Sequence, residues 1–409
     1  MRGKYGLGLV PLYWSVFAMR LSFSMVVLTL PLYIGPKWMA VGVVSAAYPL
    51  AEVLTIFFFG LLADRHGVRP VLSYGLLLSS AAILGFTLTK ETGALAALHA
   101  AQGLAAAAVM ASSLAFLAGY ASRETVGREM GVFDFANLAG YAMGLPIGGL
   151  IADFLPDIRA SFVLASALAL TGFIISRAML PELPPAHEQL NLADAMKAIL
   201  LNPKSLALLP LWLTIMILLG IALSFAPLLF TLMVEAAGES GILRYLKSFP
   251  ATSIAAGMSV VALILGVTQP FFGKLSDKYG RLRMLYAGST SIAAFLAVSV
   301  LYLKGYLGVR AAVALGAVFG LGSLTFSPAG LALLAELAPR GREGATMGLY
   351  SLVMSLGTLI GPLIGGHLLE AYGESAGLAA LLELCLAMVV ASIAIGASLY
   401  LVSERRRVG

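Results

Sequence analysis

Five ionisable residues stand inside long apolar runs of this sequence: Arg20, Glu52, His99, Asp134 and Glu383. A charge at the centre of a bilayer costs at least about 2.5 kcal/mol on insertion scales, so such residues are kept where they move protons, bind ions or pair with one another. At 3.6 residues per helical turn their neighbours sort into faces. Tyr13, Phe17, Arg20 and Ser24 share one face of the first run, and Ser45, Tyr48, Glu52 and Thr55 share one face of the second. Asp134, Asn137 and Tyr141 form a stripe on a third. Arg20 and Glu52 both lie near the middle of their runs, which leaves two readings of Glu52. It is half of a permanent ion pair with Arg20, or it is a carboxyl that takes a proton from one side and releases it to the other. His99 can share that proton, because histidine changes charge near neutral pH, or it is a hydrogen-bonded packing residue. For Asp134, close to the end of its run, a bond to Arg123 or Arg128 and a transport role both stay open. Glu383 reads as a partner for His367 or as an acid snorkelling outward.

The elements that position these residues are membrane spans. Of 409 residues, 60% are hydrophobic and only 11% charged, whereas a soluble domain carries roughly 25% charged residues. Twelve helical crossings need roughly 240 apolar residues, which the composition supplies. Outer-membrane barrels are excluded, because runs such as 261–267 and 387–401 do not alternate polar with apolar. The runs fall near 9–33, 41–62, 70–89, 93–119, 129–152 and 159–181, then 207–233, 250–272, 283–303, 309–336, 346–370 and 377–402. The first run is longer than a signal-peptide core and reads as a retained span. Residues 1–181 and 207–409 form two six-span halves, joined by a polar linker over 182–206 that contains Pro184 and Pro185 and has room for a short surface helix near 193–201. The single cysteine, Cys385, offers neither a disulfide nor a metal cluster, and no cofactor or metal is expected. With both termini on one side, 18 Lys and Arg fall on that side and seven on the other, so the positive-inside bias puts the termini in the cytoplasm. The same distribution accounts for the net charge of +6 without nucleic acid.

The chain repeats itself. Gly60, Asp64, Arg65 and Gly67, after span 2, recur as Gly273, Asp277, Lys278 and Gly280 after span 8, each at a spacing of 213, and an arginine follows the second glycine in both loops, Arg69 two residues on and Arg281 one. Gly140, Gly144, Gly148 and Gly149 of span 5 recur 217 residues later as Gly357, Gly361, Gly365 and Gly366 of span 11. Two parallel halves of this kind suit a carrier that rocks about a central site. The loop after span 2 resembles the G-x-L-a-D-r-x-G-r-k signature of the major facilitator superfamily, with Val68 at the first basic position and Arg69 at the second. Span 11 resembles the glycine motif of that superfamily's drug/proton antiporters, through Gly357, Gly361-Pro362 and Gly365-Gly366. Those antiporters carry the motif in span 5, where the glycines stand but the proline has moved to Pro146. Span 4 resembles the R-x-x-Q-G motif at Gln102-Gly103, with His99 in place of the arginine.

The resemblance covers the chain and implies an all-α polytopic membrane protein of twelve transmembrane helices in two six-helix bundles. It implies that the two repeated loops act as a conformational latch, with Gly60 allowing close helix approach and Gly67 a tight turn. The glycines of spans 5 and 11, with Pro146 and Pro362, would serve packing across the interface of the halves. Spans 7 to 11 hold hydroxyl and aromatic groups rather than charges, Trp212, Thr214 and Phe225 among them, so coupling chemistry belongs to the first half. A substrate cavity is expected around Tyr13, Phe17, Ser24, Tyr48, Asn137, Tyr141 and Phe225. Only three Asn and three Gln are present, too few amides for a sugar carrier, and no phosphate-cradling loop supports direct ATP hydrolysis. The expectation is a monomeric, non-enzymatic secondary transporter in the plasma membrane, exporting small amphipathic or lipophilic compounds by alternating access in exchange for protons. A proton symporter or uniporter for an organic anion, with Arg20 as its contact, and a non-transporting receptor on the same fold are the alternatives.

Overall fold

A computed structural model describes residues 8–120, 126–182, 203–236, 248–337 and 343–408. The described residues form helices and no strand. Span 1 is Val10–Ile34, span 2 Trp38–His66, span 3 Val68–Gly85 with a 3-10 turn at Phe86–Leu88, span 4 Thr92–Tyr120, span 5 Val126–Phe154 and span 6 Arg159–Met179. Span 7 is Pro203–Ala236, span 8 Pro250–Tyr279, span 9 Arg281–Leu303, span 11 Glu343–Tyr372 and span 12 Glu374–Val408. Eleven stretches among the described residues are long and apolar enough to cross a membrane. With the 30-residue span 8, they match the expected crossings one for one.

Span 10 corrects one expectation. The run 309–336 is two helices, Val309–Ser323 and Phe326–Leu337, separated at Leu324 and Thr325. Pro328 has no N–H to return to the carbonyl of Leu324, so that one bond of the ladder is missing, and the proline stands in the first turn of the second helix, where its missing N–H costs least. The short surface helix expected near 193–201 lies outside the described residues.

Gly67 and Gly280 occupy matching places in the repeat and do matching work. Each has a positive φ, 89° and 96°, in the region where a Cβ is strained. Each ends one span and starts the next, turning the chain within a single residue.

The chain divides into two compact units: Met1–Gln189 with Ile221–Leu263, and Leu190–Gly220 with Ile264–Gly409. Packing and the sequence repeat therefore partition residues 221–263 differently. In lipid no hydrophobic force drives helix against helix, so close contact and interhelical hydrogen bonds must hold the spans together. In the first unit serines supply those bonds. Ser73 meets Ser176 at 2.9 Å, Ser80 meets Ser166 at 3.0 Å, and Ser22 donates to the carbonyl of Ala165 at 2.8 Å, each worth about 0.6 kcal/mol on average. Small residues supply the close contact. A Cβ on Gly103 of span 4 would strike the carbonyl oxygen of Tyr48 in span 2.

Candidate functional site

The site is organised by the seam between spans 1 and 5. Gly140 has no side chain to hold the helices apart, and a Cβ added there would lie 2.5 Å from the carbonyl oxygen of Phe17 and 3.0 Å from Cβ of Arg20. That approach carries Asn137, one turn earlier on span 5, alongside Arg20. The Nε of Arg20 donates to Oδ1 of Asn137 at 2.5 Å, and its Nη2 lies 3.7 Å from the sulfur of Met110. The guanidinium sits 5.8 Å from the ring centre of Phe23, one turn on, where a cation–π attraction adds to the hydrogen bond.

Glu52 faces the same region from span 2 and is partly buried. It is within electrostatic reach of Arg20, yet it makes no hydrogen bond or ion pair among the described residues. The ion pair left open by the sequence does not form, because Arg20 is turned to span 5. Tyr48, one turn before Glu52, packs its ring 4.8 Å from Phe23 and 5.3 Å from His99. Tyr141 stands 6.4 Å from Phe23 on the other side. Among the described residues, the hydroxyls of Tyr48 and Tyr141 are buried without a hydrogen-bond partner, as are Nε2 of His99 and Oε1 of Gln102. His99 has its other ring nitrogen 2.7 Å from the carbonyl oxygen of Val44. A carbonyl only accepts, so Nδ1 carries the proton there. One guanidinium, one free carboxyl, three aromatic rings and several unspent polar atoms thus meet in a single cluster.

Other expected cavity residues lie elsewhere. Ser24 is fully buried in the span 1 and 5 seam, donating to the carbonyls of Leu21 at 3.1 Å and Gly140 at 3.4 Å. Phe225 is fully buried with its ring 6.2 Å from Trp38. Phe17 packs beside Trp14 at 5.6 Å. Tyr13, two turns from Arg20, donates to Oε2 of Glu129 at 2.6 Å. Asp134 is exposed and makes no bond among the described residues; the side chains of Arg123 and Arg128 lie outside them. Glu383 is paired with Lys304 rather than with His367: Nζ of Lys304 lies 2.6 Å from its Oε1. Phe23 and Met110 were not singled out by the sequence, although Phe23 stands three residues from Arg20 on the same face.

The repeated loops are less alike than their sequences. Arg69 forms an ion pair with Glu182, beyond the end of span 6. In the second loop Arg281, at the position of Val68, turns back onto Asp277 of its own segment, with Nη2 at 3.0 Å from Oδ1. Among the described residues, a methyl group at Gly60, or at Gly273, would find no atom within 4 Å. Arg65 is exposed, and the side chain of Asp64 lies outside the described residues. The glycines of span 5 also depart from the expected role between halves. Gly140, Gly144 and Gly148 all face span 1, and only Gly149 faces span 8. In span 11, Gly357 faces Met216 and Ile217 of span 7, and Gly361, Gly365 and Gly366 are buried. Pro146 and Pro362 both lie inside continuous helices.

The model of the Major Facilitator Superfamily matches residues 12–265 and 242–409. The chain belongs to that superfamily. It is similar to Multidrug resistance protein 2 of Bacillus subtilis (strain 168), with 26% identity over 364 residues and 87% of each chain covered. It is also similar to the Quinolone resistance protein NorA of Staphylococcus aureus (strain MSSA476), with 24% identity over 369 residues, 89% of this chain and 90% of that one. Among solved structures, the nucleoside transporter NupG aligns with a TM-score of 0.76 at 12% identity, over 94% of this chain and 98% of that one. A bacterial homolog of the human lysosomal transporter Spinster aligns with a TM-score of 0.73 at 14% identity, over 97% and 96%. At such identities the two structures share the fold alone. As a superfamily member with relatives named for drug resistance, this is an integral multi-pass membrane transporter of small molecules that resembles the drug/proton antiporter branch.

Proposed function

We propose that this superfamily member is a secondary active exporter of small amphipathic or lipophilic organic compounds, driven by protons, with Glu52 as the proton carrier. The observation that carries this reading is the division of labour around Arg20. The guanidinium spends its strongest hydrogen bond on the neutral Asn137, which leaves the Glu52 carboxyl without a fixed counter-ion inside a membrane span. A permanently paired carboxylate resists protonation, whereas an unpaired one in apolar surroundings can alternate between neutral and charged forms. His99 and Asp134 are the reserve proton sites. The aromatic rings of Phe23, Tyr48 and Tyr141 present flat apolar surface with hydroxyl tips, a fit for amphipathic molecules. The drug-resistance names of the relatives support the same substrate class.

In this reading the moving bodies are the halves of the repeat, 1–181 and 207–409, joined by 182–206, and they alternate access to one site. The excess of Lys and Arg on the terminal side supports a plasma-membrane protein with both termini in the cytoplasm. One chain carries both halves, which supports a monomer.

The test uses purified protein in liposomes, with ethidium as a lipophilic probe and an imposed pH gradient. Wild type should drive ethidium uphill, and Glu52→Gln should lose uphill movement while keeping downhill exchange. Uphill movement by Glu52→Gln at the wild-type rate would overturn the assignment and shift it to Asp134 or His99.

A further inference from the structure

At the far end of span 5, away from the amino terminus, Asp153 does something its sequence position does not announce. Its Oδ1 accepts from the backbone N–H of Ala251 at 3.1 Å and its Oδ2 from that of Thr252 at 2.6 Å. These are the second and third residues of span 8, which begins at Pro250. They are the donors that a helix leaves unsatisfied in its first turn and that an N-cap side chain normally meets. The residue at the cap position of span 8 is Phe249, which has no side-chain oxygen. Asp153 therefore caps span 8 from another helix, its negative charge at the positive end of the helix dipole.

The cap is the last link of a continuous contact. One turn earlier, a Cβ on Gly149 would lie 2.8 Å from the carbonyl oxygen of Ala251 and 2.8 Å from Cβ of Ala255. Ser259 donates to the carbonyl of Ala142 at 3.1 Å. Leu28, Leu145, Ile254 and Ala255 form a buried apolar cluster, and Phe154 stacks on Phe249 at 4.9 Å. Span 5 belongs to the first sequence repeat and span 8 to the second. A contact that ties one repeat to the backbone of the other at a single end cannot persist in a state open at that end.

We propose that Asp153 is a gate residue: its cap on span 8 closes the end of the transport path opposite the chain termini and must break for that end to open. The proposal rests on the alternating access put forward above. Most of the contact is apolar or small-residue packing, so the two charge-assisted hydrogen bonds are the part that water can replace. Both the carboxylate and the N–H groups meet solvent when the cap opens, which makes the gate reversible.

The experiment uses the full chain in lipid nanodiscs, with Cys385→Ala and spin labels on Leu155→Cys and Ser248→Cys, two exposed positions beside the cap. Electron–electron distance measurements then read how far that end is open. Asp153→Ala should raise the ratio of long-distance to short-distance populations about tenfold, within the range that losing a helix cap produces. Asp153→Asn, which keeps an acceptor but not the charge, should fall between Asp153→Ala and the parent. Melting temperatures should stay together, because both states keep every helix. Gly149→Leu acts as an independent wedge in the same contact. If the wedge produces the long distance and Asp153→Ala does not, the gate assignment fails and alternating access stands. If neither variant nor the parent shows any long distance, alternating access at this end fails with it. A lower melting temperature for Asp153→Ala without a longer distance would reduce Asp153 to an ordinary cap and overturn the proposal.

Discussion

Span 5 meets span 1 through Gly140, Gly144 and Gly148, and span 11 meets span 7 through Gly357, with Gly220 answering from span 7 against Cα of Thr358 at 2.8 Å. The two seams join corresponding helices of the two repeats with corresponding glycines. Their chemistry is different. The first seam carries Arg20 bonded to Asn137 and Tyr13 bonded to Glu129. The second is lined by Met216, Ile217 and Thr358, whose hydroxyl returns to the carbonyls of Met354 and Ser355 in its own helix at 3.0 and 3.1 Å. Duplication preserved the packing rule and left the charge in one copy. Close packing serves the fold in both halves, while the partly buried guanidinium of Arg20 stands in one alone.

The largest effect should come from breaking the packing that the seams share. Valine at Gly144 would drive its Cβ into the carbonyl of Leu21 and the hydroxyl of Ser24, and valine at Gly357 would meet the backbone of Met216 at 2.6 Å and of Ile217 at 2.8 Å. Backbone cannot yield as a side chain can, so each variant should lose at least the 1 to 3 kcal/mol typical of overpacking and most of its folded yield. Gly148→Ala is the milder case, since its nearest neighbours, the backbone Cα and O of Met25, lie 3.3 Å away, tight but short of a clash, and it should lose less stability than either valine variant. The check is folded yield and melting temperature in detergent; normal yield of Gly144→Val would mean that the seam is looser than described.

A second, smaller effect separates the seams. Asn137→Leu removes the acceptor of Arg20 and should cost about 1.5 to 3 kcal/mol, the usual worth of a hydrogen bond to a charged group. Thr358→Val in the other seam removes only a bond within one helix and should change melting by a few tenths of a kcal/mol. Equal losses from the two substitutions would show that the polar chemistry of the first seam adds nothing beyond packing.

These contrasts mark how far the sequence could be read. The spans, the glycine turns at Gly67 and Gly280 and the identity of the in-span ionisable residues follow from composition and spacing, because helix formation in lipid is dictated locally. The break in span 10 was written in Pro328 but masked by an apolar run that continued across it. The partner of Arg20 was not legible. Helical periodicity places Arg20 on a face, but which neighbouring helix that face meets is set by where Gly140 lets span 5 approach. The same holds for Asp153: nothing in a solitary aspartate at a helix end announces that another helix, 97 residues on, begins with its cap missing. Arg69 and Arg281 show the limit from the other side, since near-identical loops settled on Glu182 and Asp277.

The smallest expected effect compares the equivalent turns before spans 4 and 10. Span 10 starts from Gly308, which supplies no side-chain cap. Span 4 starts from Glu91, whose Oε1 accepts from the N–H of Gly93 at 2.9 Å and Oε2 from that of Ala94 at 2.6 Å. Those backbone donors favour the ionised form and hold the Glu91 carboxyl below its ordinary range, although the group is fully exposed. A carboxyl depressed in the folded state stabilises it at pH values above its unfolded range, and the contribution disappears as pH falls through the folded value. Glu91→Gln should therefore lower the melting temperature slightly near pH 7 and match wild type only once the pH has fallen through the depressed folded value, where Glu91 is protonated. Gly308→Asp should do the reverse, adding a cap to span 10 that is present near neutral pH and lost in acid. Both comparisons are read as paired melting curves across pH in one detergent. A Glu91→Gln deficit that persists unchanged into acid would assign the effect to lost packing at the turn rather than to the charge on the cap.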